Sequence, residues 1–188
     1  VDDLYLARFG RDRDEPILYT GPMAVHVSRV TASASEIVAA ARTDYHRAAI
    51  TGDDHTFGKG TVQTVTPLPP GLGALKITTA RFFRPGGQST QNDGVPADVV
   101  IPSLLATDDL GEKNQPFALG GESRLPLYGS LANAIGPTDF DSQVSGAGLA
   151  ELVRSSSERV AKSVEFKEVR DKLEEARTQQ GIVRLADI

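Results

Sequence analysis

The chain has 188 residues, of which 39% are hydrophobic, and this is enough to build one core with a small appendage. Its formal net charge of −5 argues against a nucleic-acid partner, because neutralising phosphates requires a basic surface. Cysteine is absent, which excludes disulfides and thiolate metal sites, and no apolar run is long enough to span a bilayer.

The N-terminal segment is predicted to be a strand followed by a turn. Residues 1–9 read as a strand entered in the middle of a fold, and residues 10–16 are polar and rich in turn formers. The segment has neither an initiating methionine nor the apolar core of a signal peptide.

Ser33 lies where a predicted strand gives way to a predicted helix. Residues 23–27 are an apolar run rich in valine. Residues 34–46 carry helix formers with apolar residues at helical spacing, namely Ile37, Val38, Ala41 and Tyr45. At such a junction the serine oxygen can project from the turn. The first amides of the helix, that of Ala34 foremost, are unpaired donors suited to an oxyanion.

A purely structural interpretation of Ser33 is also open. Serine is a good helix N-cap, and Ser33 with Glu36 three residues later matches the capping box found at many helix starts. Taken alone, this pattern favours the cap.

Lys59 favours the chemical interpretation. It lies between Gly58 and Gly60, which let the backbone approach a neighbour closely and leave little bulk around the amine. A lysine that acts as a base must be neutral, which requires desolvation or a nearby positive potential such as a helix N-terminus. If the helix start at Ser33 faces Lys59, the two residues can form a Ser–Lys dyad.

Other chemistry fits the residues less well. The stretch 58–61 is not a phosphate-binding loop, because the Walker pattern requires Ser or Thr directly after the lysine. The stretch 53–55, Asp-Asp-His, is interpreted as a solvated loop rather than a metal site, since no second ligand cluster accompanies it.

A histidine triad is likewise disfavoured. His46 and His55 are in principle available to a serine nucleophile, but Asp44 and His46 project from different faces of one predicted helix. We interpret His26 as a strand residue and the other two histidines as surface residues at loops or helix ends.

The middle of the chain is predicted to be rich in strands. A short buried strand is expected at 48–50 and another at 98–101, and a hairpin is expected from 62–65 and 74–83, connected through 67–71. Strands alternating with helices indicate an α/β core with mixed strand directions.

The C-terminal part changes character twice. Residues 103–145 are predicted to be a long, partly irregular excursion, with a weak helical tendency at 130–134. From Gly148 onward, apolar residues recur at helical spacing among charges that form a solvated face, which predicts two helices broken near Ser163.

Several motifs, in this order, resemble the C-terminal processing, or tail-specific, serine proteases. They are residues 31–37 (TASASEI), 44–48 (DYHRA), 56–63 (TFGKGTVQ), 73–83, 86–91 and 94–102. The resemblance covers about residues 20–115 and continues more weakly through 166–185, which resembles the helical tail of the periplasmic, tail-specific branch.

The resemblance implies roles for five residues. Ser33 matches the nucleophile of the family and Lys59 its general base. Gln63 matches the residue that orients this lysine, Asp44 an aspartate important in the tail-specific branch, and Ala34 one of the two oxyanion amides. The loop between Gly52 and Thr56 is one residue longer than expected, and Thr31 stands where serine or glycine is common.

The resemblance also implies a fold and a function. The fold would be α/β, a mixed sheet with flanking helices in a ClpP/crotonase-like protease core, plus a C-terminal helical appendage. We expect three units: the C-terminal part of the protease core at 1–105, an irregular linker at 106–147 and a helical region at 148–188.

The expected activity is that of a serine endopeptidase with a Ser–Lys dyad. It would cleave unfolded or tagged proteins near apolar C-termini through an acyl-enzyme, in the bacterial periplasm, without a cofactor or metal. In this family a PDZ domain and a glycine-rich turn that gives the second oxyanion amide precede the serine, so the chain resembles the C-terminal portion of a longer enzyme. The alternative is a catalytically inactive fragment that acts as a scaffold or interaction module.

Overall fold

The computed structural model describes residues 19–124 and 146–179 and has the predicted α/β class. The elements in chain order are β1 (Ala24–Val27), α1 (Ala34–Asp44), β2 (Ala49–Gly52), β3 (Thr61–Pro67), β4 (Ala74–Arg81), β5 (Val99–Val100), a 3₁₀ turn (Glu112–Asn114), α2 (Gly146–Lys162) and α3 (Val164–Gln179). The strand expected at 1–9 and the helical tendency at 130–134 lie outside the described residues. The three-unit division stays a prediction.

The strands that support the candidate site form a small parallel sheet. Its order is β1-β2-β5, with Ala24 opposite Ala49 in one pair of strands and Thr51 opposite Val99 in the other. Helix α1 connects β1 to β2, as a parallel pair requires a crossover. Within the described ranges, parallel and antiparallel strands lie in two separate sheets rather than in one mixed sheet.

The core between α1 and this sheet is made of small residues. Ala39 and Ala40 on the helix are fully buried and cluster with Val27, Ile50 and Val95. Alanine has little side-chain volume, so the helix can lie close to β2.

The apolar residues whose spacing predicted this helix do not form its buried face. Ile37, Val38 and Tyr45 are 43%, 54% and 44% exposed, whereas Glu36 is fully buried. Periodicity ranks side chains by hydrophobicity, but here close approach and hydrogen bonding to Glu36 decide which face is buried.

The predicted hairpin is present as a separate antiparallel sheet, β3–β4. The register shifts between Val62 and Gln63, which marks a β-bulge. Gln63 pairs with Thr78 and Val65 with Lys76 on one face of the hairpin.

The two C-terminal helices also follow the prediction. They break at Ser163, whose hydroxyl accepts a hydrogen bond from the Phe166 N–H at 3.2 Å and so caps α3. Helix α2 packs against β5. None of the helices in the described ranges is long and apolar enough to cross a membrane.

The stretch 53–55 is only in part the solvated loop that the sequence suggested. Asp53 is only 1% exposed and accepts the Arg29 N–H at 2.9 Å. The buried Arg29 guanidinium donates to both carboxylate oxygens of Asp54, at 2.7 and 2.9 Å. A buried arginine requires a counter-charge, and this loop supplies it.

The ion pair changes how Asp54 titrates. Burial opposes ionisation of Asp54, but the hydrogen bonds and the charge of Arg29 outweigh it and hold the pKa of this carboxyl below its usual value. The side chain of Asp54 is about half exposed, so solvent screens the pair.

Asp54→Asn is expected to lower the free energy of unfolding at neutral pH by about 1 kcal/mol, a modest loss because of this screening. Since the pKa of Asp54 is depressed in the folded state, its stabilisation is present above the unfolded pKa and is lost as the pH falls through the folded pKa. Urea unfolding curves of the wild type and the variant should therefore differ at neutral pH and converge in acid. Asp93→Asn, at an exposed position, is the control and should match the wild type throughout. A difference that persists in strong acid would contradict this account.

Candidate active site

Ser33 occupies a strained turn between β1 and α1. It lies at the N-cap position of α1 with φ 56° and ψ −114°. Ordinary N-cap residues have β-region dihedrals, and a positive φ is uncommon for a residue other than glycine. Such strain costs about 1–3 kcal/mol and collects at functional sites, as in the nucleophile elbow of hydrolases. The cap interpretation alone does not account for this conformation.

Glu36 joins the Ser33 turn to residues 56–60, the loop that carries Lys59 and is called the lysine loop below. Its carboxylate is fully buried. One oxygen, Oε2, accepts the N–H groups of Ser33 and Lys59, each at 2.8 Å. The other, Oε1, accepts the Gly58 N–H at 2.7 Å and the Thr56 hydroxyl. A single carboxylate therefore fixes the backbone of both predicted dyad residues.

The sequence indicated only part of this role. Glu36 was expected as half of a capping box, and its bond to the Ser33 N–H is that half. Its bonds to residues 56–59 depend on a part of the chain 20 or more residues away, which local spacing does not reveal. The signal available was an acidic residue in the first turn of the helix, three and four residues before two consecutive alanines.

The glycines beside Lys59 are needed for close packing. Gly58 has φ +93°, and a Cβ there would lie 2.9 Å from the Asn92 backbone. A Cβ on Gly60 would lie 2.7 Å from the Gln91 nitrogen. The predicted close approach is therefore confirmed, and its partner is residues 91–92.

The Lys59 side chain does not contact Ser33 in this structure. Its Nζ donates to the Thr61 hydroxyl at 2.9 Å. Among the described residues, no hydrogen bond joins Nζ to the Ser33 hydroxyl. The amine is bound to Thr61, two residues further along the chain, so this structure does not bring the two predicted dyad side chains together.

A cleft of about 380 Å³ lies beside Lys59. It is lined by the hairpin face that carries Gln63 and Thr78 and by residues 115–119. Lys76 and Phe57 add a cation and an apolar ring to the lining. The cleft thus combines apolar surface with polar groups, as binding sites usually do.

Ala34 and Gln63 are both accessible. Ala34 is the first residue of α1, and within the part of the chain described here its N–H has no hydrogen-bond partner. Such an amide is an available donor at the positive end of a helix. Gln63 is exposed at the bulge of β3 and lines the cleft with Lys59.

Asp44 lies far from Ser33 and Ala34, at the opposite end of α1. It is the last residue of α1, about 16 Å along the helix axis from Ser33. Its carboxylate forms a buried ion pair with Arg84 and accepts the Gly86 N–H at 2.7 Å. These contacts anchor the end of α1 to the chain that follows β4.

In the described ranges, His, Asp and Glu side chains form no group of three that could hold a metal ion.

Among solved structures, the chain is similar to a photosystem II D1 C-terminal processing protease, with 37% identity over 48% of this chain and 26% of that one. The TM-score is 0.37, too low to support an argument about the fold.

Curated relatives are similar in sequence. A tail-specific protease of Haemophilus influenzae is 41% identical over 60% of this chain and 17% of its own length. A carboxy-terminal-processing protease of Bartonella bacilliformis is 48% identical over 45% of this chain and 19% of its own. A chloroplastic C-terminal processing peptidase of Tetradesmus obliquus is 46% identical over 57% and 22%.

The chain spans about a fifth of the length of these relatives. A sequence model described as peptidase family S41 matches residues 5–101, just over half of the chain. This range contains the strained serine, the buried glutamate and the glycine-flanked lysine. The chain therefore belongs to peptidase family S41.

Proposed function

We propose that the chain carries the catalytic dyad of a serine endopeptidase that cleaves proteins near their C-termini. The observation that carries the proposal is the shared carboxylate: Glu36 binds the N–H of the strained Ser33 and the N–H of Lys59 through the same oxygen. This arrangement keeps the backbones of nucleophile and base at a fixed separation. The similarity to proteases named for C-terminal processing supports the substrate class.

The proposed reaction uses the side chains of this dyad. Neutral Lys59 takes the proton of the Ser33 hydroxyl, and the serine oxygen attacks the peptide carbonyl. The Ala34 N–H donates one hydrogen bond to the oxyanion, and a second donor comes from outside the described residues. Lys59 then gives its proton to the leaving amine, and water releases the acyl-enzyme.

We propose that the Lys59 amine reaches Ser33 by rotation of its side chain. Its Nζ must leave the Thr61 hydroxyl, whereas its backbone stays bound to Glu36. Lysine has four rotatable side-chain carbons, so a fixed backbone is compatible with a mobile amine. Gln63, which lines the same cleft, is proposed to orient the amine in its active position.

The proposed substrates are unfolded or tagged proteins with apolar C-termini. In the described residues, β3 and β4 pair only with each other, so their outer edges offer unpaired backbone groups to an extended peptide. Recognition through backbone suits broad specificity. No cofactor is invoked.

The detailed fold type, the preceding domain and the cellular location are proposed from the resemblance. We propose a ClpP/crotonase-like core with a C-terminal helical appendage, preceded in the whole protein by a PDZ domain. We also propose a periplasmic location, which the resemblance to the tail-specific branch implies.

An inactive scaffold is the second candidate, and two points favour it. Lys59 donates to Thr61 instead of Ser33, and the described residues supply one oxyanion amide where two are expected. Loss of one oxyanion donor costs about 100- to 1000-fold in kcat. A chain in this state would fold but turn over slowly.

Ser33→Ala and Lys59→Arg are each expected to reduce cleavage by about 10⁴-fold or more, because the first removes the nucleophile and the second leaves a permanently charged side chain. The assay is degradation of an unfolded protein that ends in apolar residues, followed by gel and mass spectrometry. Ser35→Ala, an exposed serine of the same helix, is the matched control and should keep wild-type activity. Undiminished cleavage by Ser33→Ala would refute the nucleophile assignment. No cleavage by any form would favour the scaffold.

Glu36→Gln is expected to lower kcat by about 100-fold and to destabilise the fold. Whichever way the amide turns, its NH₂ group faces two donors, and each unsatisfied group costs about 1–3 kcal/mol. Asp98→Asn is the control for destabilisation alone. The Asp98 carboxylate lies away from the dyad and accepts the Ile50 N–H at 2.7 Å. Melting temperatures of both variants should be measured first. The kcat values should then be compared at a temperature well below both unfolding transitions. Equal kcat in the two variants would contradict a role for Glu36 in the site.

Asp44 is proposed to support the site through Arg84 rather than to take part in the chemistry. Asp44→Asn and Arg84→Met should then lower activity by similar factors, and the double variant should be no worse than either alone. A double-mutant cycle on kcat/KM measures this coupling. Additive losses, or a large loss with Asp44→Asn but none with Arg84→Met, would assign Asp44 a role independent of this pair.

A further inference from the structure

Gln91 is a buried polar residue for which the sequence suggested no role. Its side chain is 1% exposed. The oxygen Oε1 accepts the Gly60 N–H at 2.9 Å, and the nitrogen Nε2 donates to the Leu119 carbonyl at 3.1 Å. Nε2 also lies 3.4 Å from a Glu112 carboxylate oxygen. One amide therefore uses its acceptor on one loop and its donor on another.

The next residue makes the same connection. The Asn92 side chain donates to the Leu119 carbonyl at 3.0 Å, and the Asn92 N–H donates to the Gly58 carbonyl at 2.8 Å. Asn92 has φ 73°, a left-handed conformation that asparagine tolerates better than most residues. Residues 91–92 thus join both glycines that flank Lys59 to a single carbonyl, that of Leu119.

Leu119 belongs to the wall of the cleft beside Lys59. The wall, residues 115–119, includes Phe117, which has φ 61° and is 98% exposed. A phenylalanine in this conformation is strained, so neighbouring contacts must hold the wall in place. The hydrogen bonds to Leu119 are such contacts, and Arg81 adds one to the Gly120 carbonyl at 3.1 Å.

We propose that Gln91 is a positioning residue that sets the distance between the Lys59 loop and the wall at 115–119, and thereby governs binding of apolar substrate segments in the cleft. The inference rests on the proposed function, because it takes the cleft as the substrate site. Gln91 acts on KM through the wall and on kcat through the lysine loop, so its two ends can be separated by substitution.

Gln91→Glu separates the two ends. It keeps an oxygen for the Gly60 N–H but sets a carboxylate against the Leu119 carbonyl and the Glu112 carboxylate. The expected result is a KM about tenfold higher with kcat changed less than twofold. Gln91→Met loses both ends and should raise KM and lower kcat. Gln88→Glu, the same change at an exposed position of the same segment, should leave both constants unchanged.

Amide hydrogen exchange tests the same idea without turnover. In Gln91→Glu the Gly60 amide should keep its slow exchange while the amides of residue 115 and of residues 117–120 exchange at least tenfold faster. In Gln91→Met both regions should exchange faster. Unchanged exchange at 115–120 in Gln91→Glu, or a fall in kcat with KM unchanged, would overturn the proposal. Because exchange needs no catalysis, an inactive chain would refute the proposed function while the exchange result still decides whether Gln91 holds the wall.

Discussion

The buried carboxylate of Glu36 is the interaction on which the candidate site depends. Removing a carboxylate from water is costly unless its oxygens are satisfied, and within the described ranges all four of its donors are backbone N–H groups or a hydroxyl rather than cations. The donors come from the Ser33 turn and from residues 56–59. If either segment moves, Glu36 loses partners in a buried place. The Ser33 turn and residues 56–59 therefore stabilise each other's conformation.

The same logic explains why the lysine loop is held on two sides. Glu36 binds the N–H groups of Gly58 and Lys59, while residues 91–92 bind the Gly58 carbonyl and the Gly60 N–H. With the backbone fixed in this way, the entropic cost of ordering the loop is met during folding rather than at each catalytic cycle. The flexible side chain of Lys59 is left as the movable part of this loop, which suits the proton transfer proposed for it.

The sequence predicted the parts of this site that local patterns encode. Residue types within a few positions of one another predict strand β1, the helix start at Ser33 and the tight loop around Lys59. Contacts between distant segments could not be predicted in this way. Glu36 reaching residues 56–59 is one such contact, and the Arg29–Asp54 pair is another. Burial of the alanine face of α1 could not be predicted for the same reason, because close approach to a neighbouring sheet outweighed hydrophobicity.

The hydrogen bond from the Ser33 N–H to Glu36 also holds the strained backbone of Ser33 in place. A left-handed serine would relax toward an ordinary N-cap if it were free, and the relaxation would gain about 1–3 kcal/mol. The Glu36 bond to the Ser33 N–H opposes that relaxation, since the N–H changes direction when φ changes. A charge-assisted hydrogen bond contributes about 1.5–3 kcal/mol, which is of the same size as the strain. A buried carboxylate at this position is thus strong enough to keep the serine in its unusual conformation, whereas a neutral cap would offset only part of the cost.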